Sequence, residues 1–192
     1  MIDVIGQFNF IDIIIIILSF RICYIAFQTG LPVELFKLLG IIFATYISLH
    51  YYAGLSDIIG RWPLPEELPL EFLDFLIFII LAFGGYLGFV VLRSMSYHLI
   101  KLEAPPRISR FGGLILGFAR VFFTIGLLVY GLMISSIKYL NGSIKYSYFG
   151  SRVYSTAPQT YGWLLNSIVS KFSAKEKFNP TVNEAMERFH RK

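Results

Sequence analysis

The sequence predicts an all-α integral membrane protein: four transmembrane helices and a C-terminal amphipathic helix lying in the membrane interface. Three observations predict it. Hydrophobic residues make up 56% of the 192-residue chain, charged residues only 15%, and mean hydropathy is +0.65. A soluble domain of this size needs more charge to cover its surface. The apolar residues also fall in four blocks, 10–27, 33–52, 72–92 and 111–134. Each approaches the ~20 residues a helix needs to cross ~30 Å of hydrocarbon, and buried helices of soluble proteins rarely run so long without a polar face. Finally, the links between blocks differ in charge, as links on opposite sides of a membrane do.

Helix one is expected over about 10–28. The segment before it, "MIDVIGQFNF", carries Asp3 and no Lys or Arg, and no small-x-small cleavage site follows, so this helix is expected to stay in the mature protein. Cys23, the sole cysteine, lies in this span; it excludes an intrachain disulfide and reads as packing. Gly30 suits a left-handed cap and Pro32 the first turn of helix two, about 33–52. The link is so short that helices one and two are expected to form a tight antiparallel hairpin. The next link holds Pro63, Pro65 and Pro69 and is acidic, with Asp57, Glu66, Glu67 and Glu71 against Arg61. Trp62 suits an interfacial anchor there. Helix three is expected over about 71–93. The link after it is basic, with Arg93, Lys101, Arg107 and Arg110 against Glu103, and Pro105-Pro106 ends any extension of the helix. Helix four is expected over about 109–135.

Residues 138–159 read as a loop rich in Tyr, Ser and Gly. "TYGWLLNSIVSKF" then reads as an amphipathic helix over about 160–173, with Trp163, Leu164, Ile168 and Phe172 near one face. The mostly polar tail from Ala174 ends in a loose helix. The chain thus divides into a four-helix transmembrane domain, 1–137, and an extramembrane C-terminal region, 138–192. No internal repeat is evident. The basic third link predicts a cytoplasmic position for it and places both termini outside, although Lys138, Lys145 and Arg152 follow helix four closely.

Arg120 interrupts the fourth apolar block. Steps of four and three from Gly113 give Gly117, Arg120, Thr124, Leu127, Gly131 and Ser135, one face of a helix. The same steps on helix one give Asp12, Ile16, Ser19, Cys23, Ala26 and Gly30. Helix three carries Gly84 and Gly88 four apart, with Gly85 beside them. Small residues let helix backbones approach closely in lipid. Gly84, Gly88, Gly113, Gly117 and Gly131 are therefore the candidate packing positions. Arg120 is expected to point into the bundle, because a mid-membrane Arg costs about 2.5–3.5 kcal/mol on insertion scales and needs a partner. Candidate acids are Asp12, Glu34 and Asp74. Arg120 either ties the bundle together or lines a polar path or docking point. Arg21 falls roughly opposite the small stripe, where it would snorkel or face another subunit.

Nothing in the sequence points to catalysis, a cofactor or a metal. His50, His98 and His190 show no ligand spacing, and there is no HExxH, GxSxG or phosphate-binding loop. The net charge of +5 in a membrane chain points to orientation and anionic lipid rather than nucleic acid. The expected partners are the bilayer, further copies of the chain, or other inner-membrane proteins.

The motifs resemble those of the colicin V production protein (CvpA) family. That family opens its first helix with an aromatic, an aliphatic and an Asp, here Phe10-Ile11-Asp12. Its first connection carries a Gly-aromatic-x-x-Gly stretch followed by a Glu, matched in "AFQTGLPVE" at Phe27, Gly30 and Glu34. Its fourth helix begins Asp-Arg, with a Gly, another Gly four later and an Arg three beyond. "SRFGGLILGFAR" matches at Arg110, Gly113, Gly117 and Arg120. The likeness covers roughly 8–150, with Ser147 near its end. Ala26 replaces the first glycine, Ser109 the Asp, and Thr29 and Val33 stand where basic residues are frequent. The resemblance implies a bacterial inner-membrane protein tied to colicin V production or export and to envelope upkeep, with no assigned chemistry. Some relatives fuse a similar part to an extracytoplasmic serine protease, which implies a C-terminus outside. The alternative is a small channel or transporter subunit with a polar path near Arg120 and Asp12.

Overall fold

The structure, a computed structural model, describes residues 8–61, 69–99, 105–135, 137–173 and 176–191. Trp62, Glu66 and Glu67 of the acidic link, and Lys101 and Glu103 of the basic one, lie outside the described residues. Four long helices form the body: α1 Phe10–Thr29, α2 Leu31–Gly60, α3 Leu70–Leu99 and α4 Pro106–Ile134. Each contains a stretch long and apolar enough to cross a membrane. Their outer faces keep bulky apolar side chains exposed, among them Phe20, Ile80, Phe83 and Ile115. Water does not tolerate such a belt, and hydrocarbon does. This is a multi-pass membrane fold.

Local sequence sets the helix ends. Asn9 caps α1: its side chain accepts from the Phe10 amide, and Asp12 accepts from the Asn9 amide to close a capping box. Gly30 at φ 78° makes the corner to α2 in a conformation that L side chains rarely adopt, and Pro32 follows in the first turn. α2 continues eight residues past the expected limit of 52, and α4 starts at Pro106 instead of 109. Hydropathy locates only the part of a helix in hydrocarbon. The polar extension of α2 persists because α3 covers it, with Gly60 near Leu70 and Ser56 buried.

The expected tight hairpin of helices one and two does not form. α1 packs mainly on α4, and α2 packs on both α3 and α4. The cause lies at the glycines of α4. A Cβ on Gly113 would sit 2.7 Å from the Ala26 carbonyl oxygen and 2.9 Å from the Gly30 carbonyl carbon, and one on Gly117 would collide with the Ala26 methyl. Backbones this close favour α1–α4 packing over the neighbour in sequence. On α3 the packing glycine is Gly85, 3.0 Å from the Ala44 Cα by the same measure. Gly84 and Gly88 meet nothing within 4 Å, so no described residue packs on them. Gly131 lies against the Phe78 ring.

The C-terminal region differs most from expectation. Residues read as a loop contain α5 Lys138–Tyr146 and the short α6 Gly150–Val153. The amphipathic helix begins earlier, as α7 Thr156–Leu164, then passes through a π-helical turn, Leu165–Val169, into α8 Ser170–Phe172. Its faces also divide differently: Tyr161, Leu164 and Leu165 are buried, while Trp163, Ile168 and Phe172 are exposed. The tail helix is not loose. α9 Pro180–Arg191 docks through Val182 and Phe189, seven apart on one helical face. Ile144, Ala157, Tyr161, Val182 and Phe189 join the same apolar core as the bundle, so that core is continuous across residue 137.

Candidate functional site

Two buried carboxylates organise the polar interior, at opposite ends of α1. Asp12 is fully buried. The Asn9 amide donates to it at 3.0 Å, the Ser147 hydroxyl at 2.7 Å, and the amides of Tyr148 and Phe149 at 3.1 and 2.8 Å. Ser147 in turn accepts from the Gly150 amide at 2.8 Å. Asn9 donates to the Ser143 carbonyl at 3.2 Å. One carboxylate therefore fixes the start of α1 to the α5–α6 turn, more than 130 residues away, with its oxygens well supplied with donors. Among the described residues Asp12 makes no ion pair.

Glu34, also fully buried, holds the other end. Its Oε1 accepts from Lys37 Nζ at 2.6 Å and from the Thr29 hydroxyl at 2.7 Å. Its Oε2 lies 3.2 Å from Arg120 Nη2, but no hydrogen bond is aligned there. Arg120 Nε is buried with no hydrogen-bond partner among the described residues. Of the candidate acids, Glu34 thus pairs with Arg120. Asp74 bonds Ser56 near the other end of the bundle. Gly117 is what lets this pair form, since α4 reaches α1 there and the Glu34 carboxylate lies just beyond.

Arg21 is exposed, yet it borders the groove that Arg120 lines. Ala26 meets Gly113 and Gly117, so Arg21, five residues back along antiparallel α1, comes level with Arg120. Arg21, Lys37 and Arg120 line one groove of about 450 Å³ between α1 and α3, floored by α2 and α4. Asp12 does not line this groove. Sequence reasoning missed Lys37 and Thr29. Lys37 was legible as a cation three residues after Glu34 on a helix. It also missed His50, which shares hydrogen bonds of 2.8 Å with the Tyr161 hydroxyl and the Glu176 carboxylate. Asn179 completes that cluster by donating to the Tyr161 hydroxyl and the Leu49 carbonyl. Burial raises the pKa of Tyr161 above the ordinary phenol value. Among the described residues no group of three or more His, Cys, Asp or Glu could hold a metal ion.

The family model for the colicin V production protein matches residues 11–175. The chain belongs to the colicin V production protein family. No curated protein and no solved structure matches it. The residues through which the sequence resembles the colicin V production family now find one another in space. Asp12 meets Ser147, and Glu34 meets Arg120. The Arg110 guanidinium lies 5.9 Å from the centre of the Phe27 ring, and Gly30 abuts Gly113. The departures from the family pattern are local as well. Ser109, where the family has Asp, accepts from the Leu31 amide at 3.3 Å and so caps the start of α2. Ala26, in place of a glycine, fills the space that Gly117 leaves. Thr29 takes part in the Glu34 network instead of supplying a positive charge.

Proposed function

We propose that the protein is a bacterial inner-membrane component that supports colicin production or export and envelope upkeep without catalysing a reaction itself. The observation that carries this reading is how the motif residues are used. A catalytic group must face a substrate. Here Asp12, Phe27, Glu34, Arg110, Arg120 and Ser147 face one another, so the signature specifies a shape. A shaped membrane body acts through what docks on it, whether further copies of the chain or other inner-membrane proteins. The basic third link supports a cytoplasmic position for 93–110, with the N-terminus and C-terminal region outside.

Complementation tests the function. A deletion strain receives Arg120→Met, and membrane level and envelope phenotype are read for the same variant. A folded protein that fails to complement supports a functional Arg120; full complementation leaves it a purely structural residue. Reporter fusions at Lys192 and near Glu103 test the orientation, and a cytoplasmic signal at Lys192 would sink it. The groove lined by Arg21, Lys37 and Arg120 favours one second reading, a transporter subunit. Solute flux in liposomes, abolished by Arg120→Leu, would decide for it.

A further inference from the structure

We infer that the groove between α1 and α3 binds a phosphate-bearing lipid, with the head among Arg21, Lys37 and Arg120 and the tail along the apolar remainder. Four observations carry the inference, and none depends on the proposed role in colicin production. First, the groove is polarised. Its three cations are level with one another: Arg120 reaches Glu34, Lys37 follows Glu34 by one helical turn, and Arg21 aligns with Arg120 through the Ala26–Gly117 contact. Beyond them, Leu18, Phe75, Ile79 and Leu128 line a wall without charge. An amphiphile has that shape: one charged end and one long apolar end.

Second, the charge is unbalanced. Among the described residues Glu34 is the only acid beside these three cations, so two positive charges remain at the groove. Arg21 makes no hydrogen bond or ion pair with any described residue. Unpaired cations inside hydrocarbon are costly and mark functional sites. Third, Arg120 is more than nine-tenths buried, and its Nε has no hydrogen-bond partner. A buried guanidinium N–H without an acceptor costs free energy that a ligand oxygen would recover. Phosphate supplies several acceptor oxygens and suits the planar fork of Arg. Fourth, the groove lies between α1 and α3, which scarcely touch, and its lining beyond the cations is almost wholly apolar. A volume near 450 Å³ falls within the ~300–1,000 Å³ of small-ligand sites. It does not admit a partner helix ~10–12 Å across. Arg120 lies midway along α4, so the head would sit well below the membrane surface, drawn out of its leaflet.

The purified full chain in detergent is titrated with dioctanoyl phosphatidic acid, dioctanoyl phosphatidylcholine and inorganic phosphate, with melting temperature and native mass as readouts. Saturable binding of phosphatidic acid is expected, with phosphatidylcholine at least about tenfold weaker and no stabilisation by phosphate alone. Arg21→Gln is expected to weaken phosphatidic acid binding about tenfold, the loss of one charge-assisted contact. Because Arg21 makes no hydrogen bond or ion pair with any described residue, this variant is expected to keep the ligand-free melting temperature, and that measurement separates a folding defect from lost binding. Equal binding of the two lipids, equal binding of free phosphate, or unchanged binding by Arg21→Gln each overturns the inference. So does a lipid-independent dimer that protects a thiol introduced by Phe83→Cys in a Cys23→Ser background, since a second copy would then occupy the groove.

Discussion

The two ends of α1 solve the same problem in different ways. At one end Asp12 is buried among neutral donors that belong to the backbone and to Ser147, and each sits at an ordinary hydrogen-bond distance. At the other end Glu34 and Arg120 are both charged and both buried, yet their contact is poorly aligned and Arg120 Nε has no acceptor. The first arrangement is closed: nothing remains to be satisfied, and every donor comes from a segment that Asp12 anchors. The second is open, with donor capacity left over beside a groove. A fully satisfied buried polar cluster rigidifies, whereas a partly satisfied one adds little stability and is retained for another purpose. The difference teaches where to look for function in a membrane bundle: at the charge whose hydrogen bonds are incomplete.

The largest expected effect comes from Asp12→Ala. It strips the Ser147 hydroxyl and the amides of Tyr148 and Phe149 of their acceptor. Each buried donor left unsatisfied costs about 1–3 kcal/mol, so a loss of about 3–5 kcal/mol is expected in unfolding from detergent micelles. The α5–α6 turn should also become protease-sensitive. A mild, local effect would show that the Asp12 end is not the closed one. Gly117→Leu comes next, at about 2–3 kcal/mol, because a branched side chain cannot occupy the place where α4 touches Ala26. Leu116→Ala, a quarter turn away, should matter less; equal losses for the two would count against the α1–α4 contact.

Arg120→Met should be far milder for stability than Asp12→Ala, a shift of about 1 kcal/mol. Glu34 keeps Lys37 and Thr29, and an apolar stem replaces a poorly bonded cation. If this variant unfolds as readily as Asp12→Ala, the contrast between the two ends fails. The smallest effect is expected at Ser109. Ser109→Ala removes the acceptor for the Leu31 amide at the start of α2, a cap worth about 0.5–1 kcal/mol. Ser109→Asp should restore or exceed that, since a carboxylate suits a helix N-terminus. A stability series measured in one detergent would order the four.

Much of this was legible in the chain before any fold was known. The four spans, the glycine row of α4 and the burial of Arg120 follow from periodicity and from the cost of charge in lipid. Asp12, Glu34 and Arg120 stood out for the same reason. Which acid met Arg120 was not legible, because depth and helix order decide it. Lys37 was legible as a cation one helical turn after Glu34, but its place in one groove with Arg21 and Arg120 was not.

The sequence by itself determined the spans, the small-residue faces and the helix punctuation at Gly30 and Pro32, because each depends on neighbours within a few turns. Only the tertiary structure decided that α1 leaves α2 for α4, that Gly85 rather than Gly84 or Gly88 carries the α3 contact, and that Asp12 joins Ser147 while Glu34 joins Arg120. The physical reason is the same in each case. Inside lipid all apolar faces are nearly equivalent, so composition cannot rank them. Close backbone approach and hydrogen-bond satisfaction choose among them, and both depend on groups that are far apart in the chain.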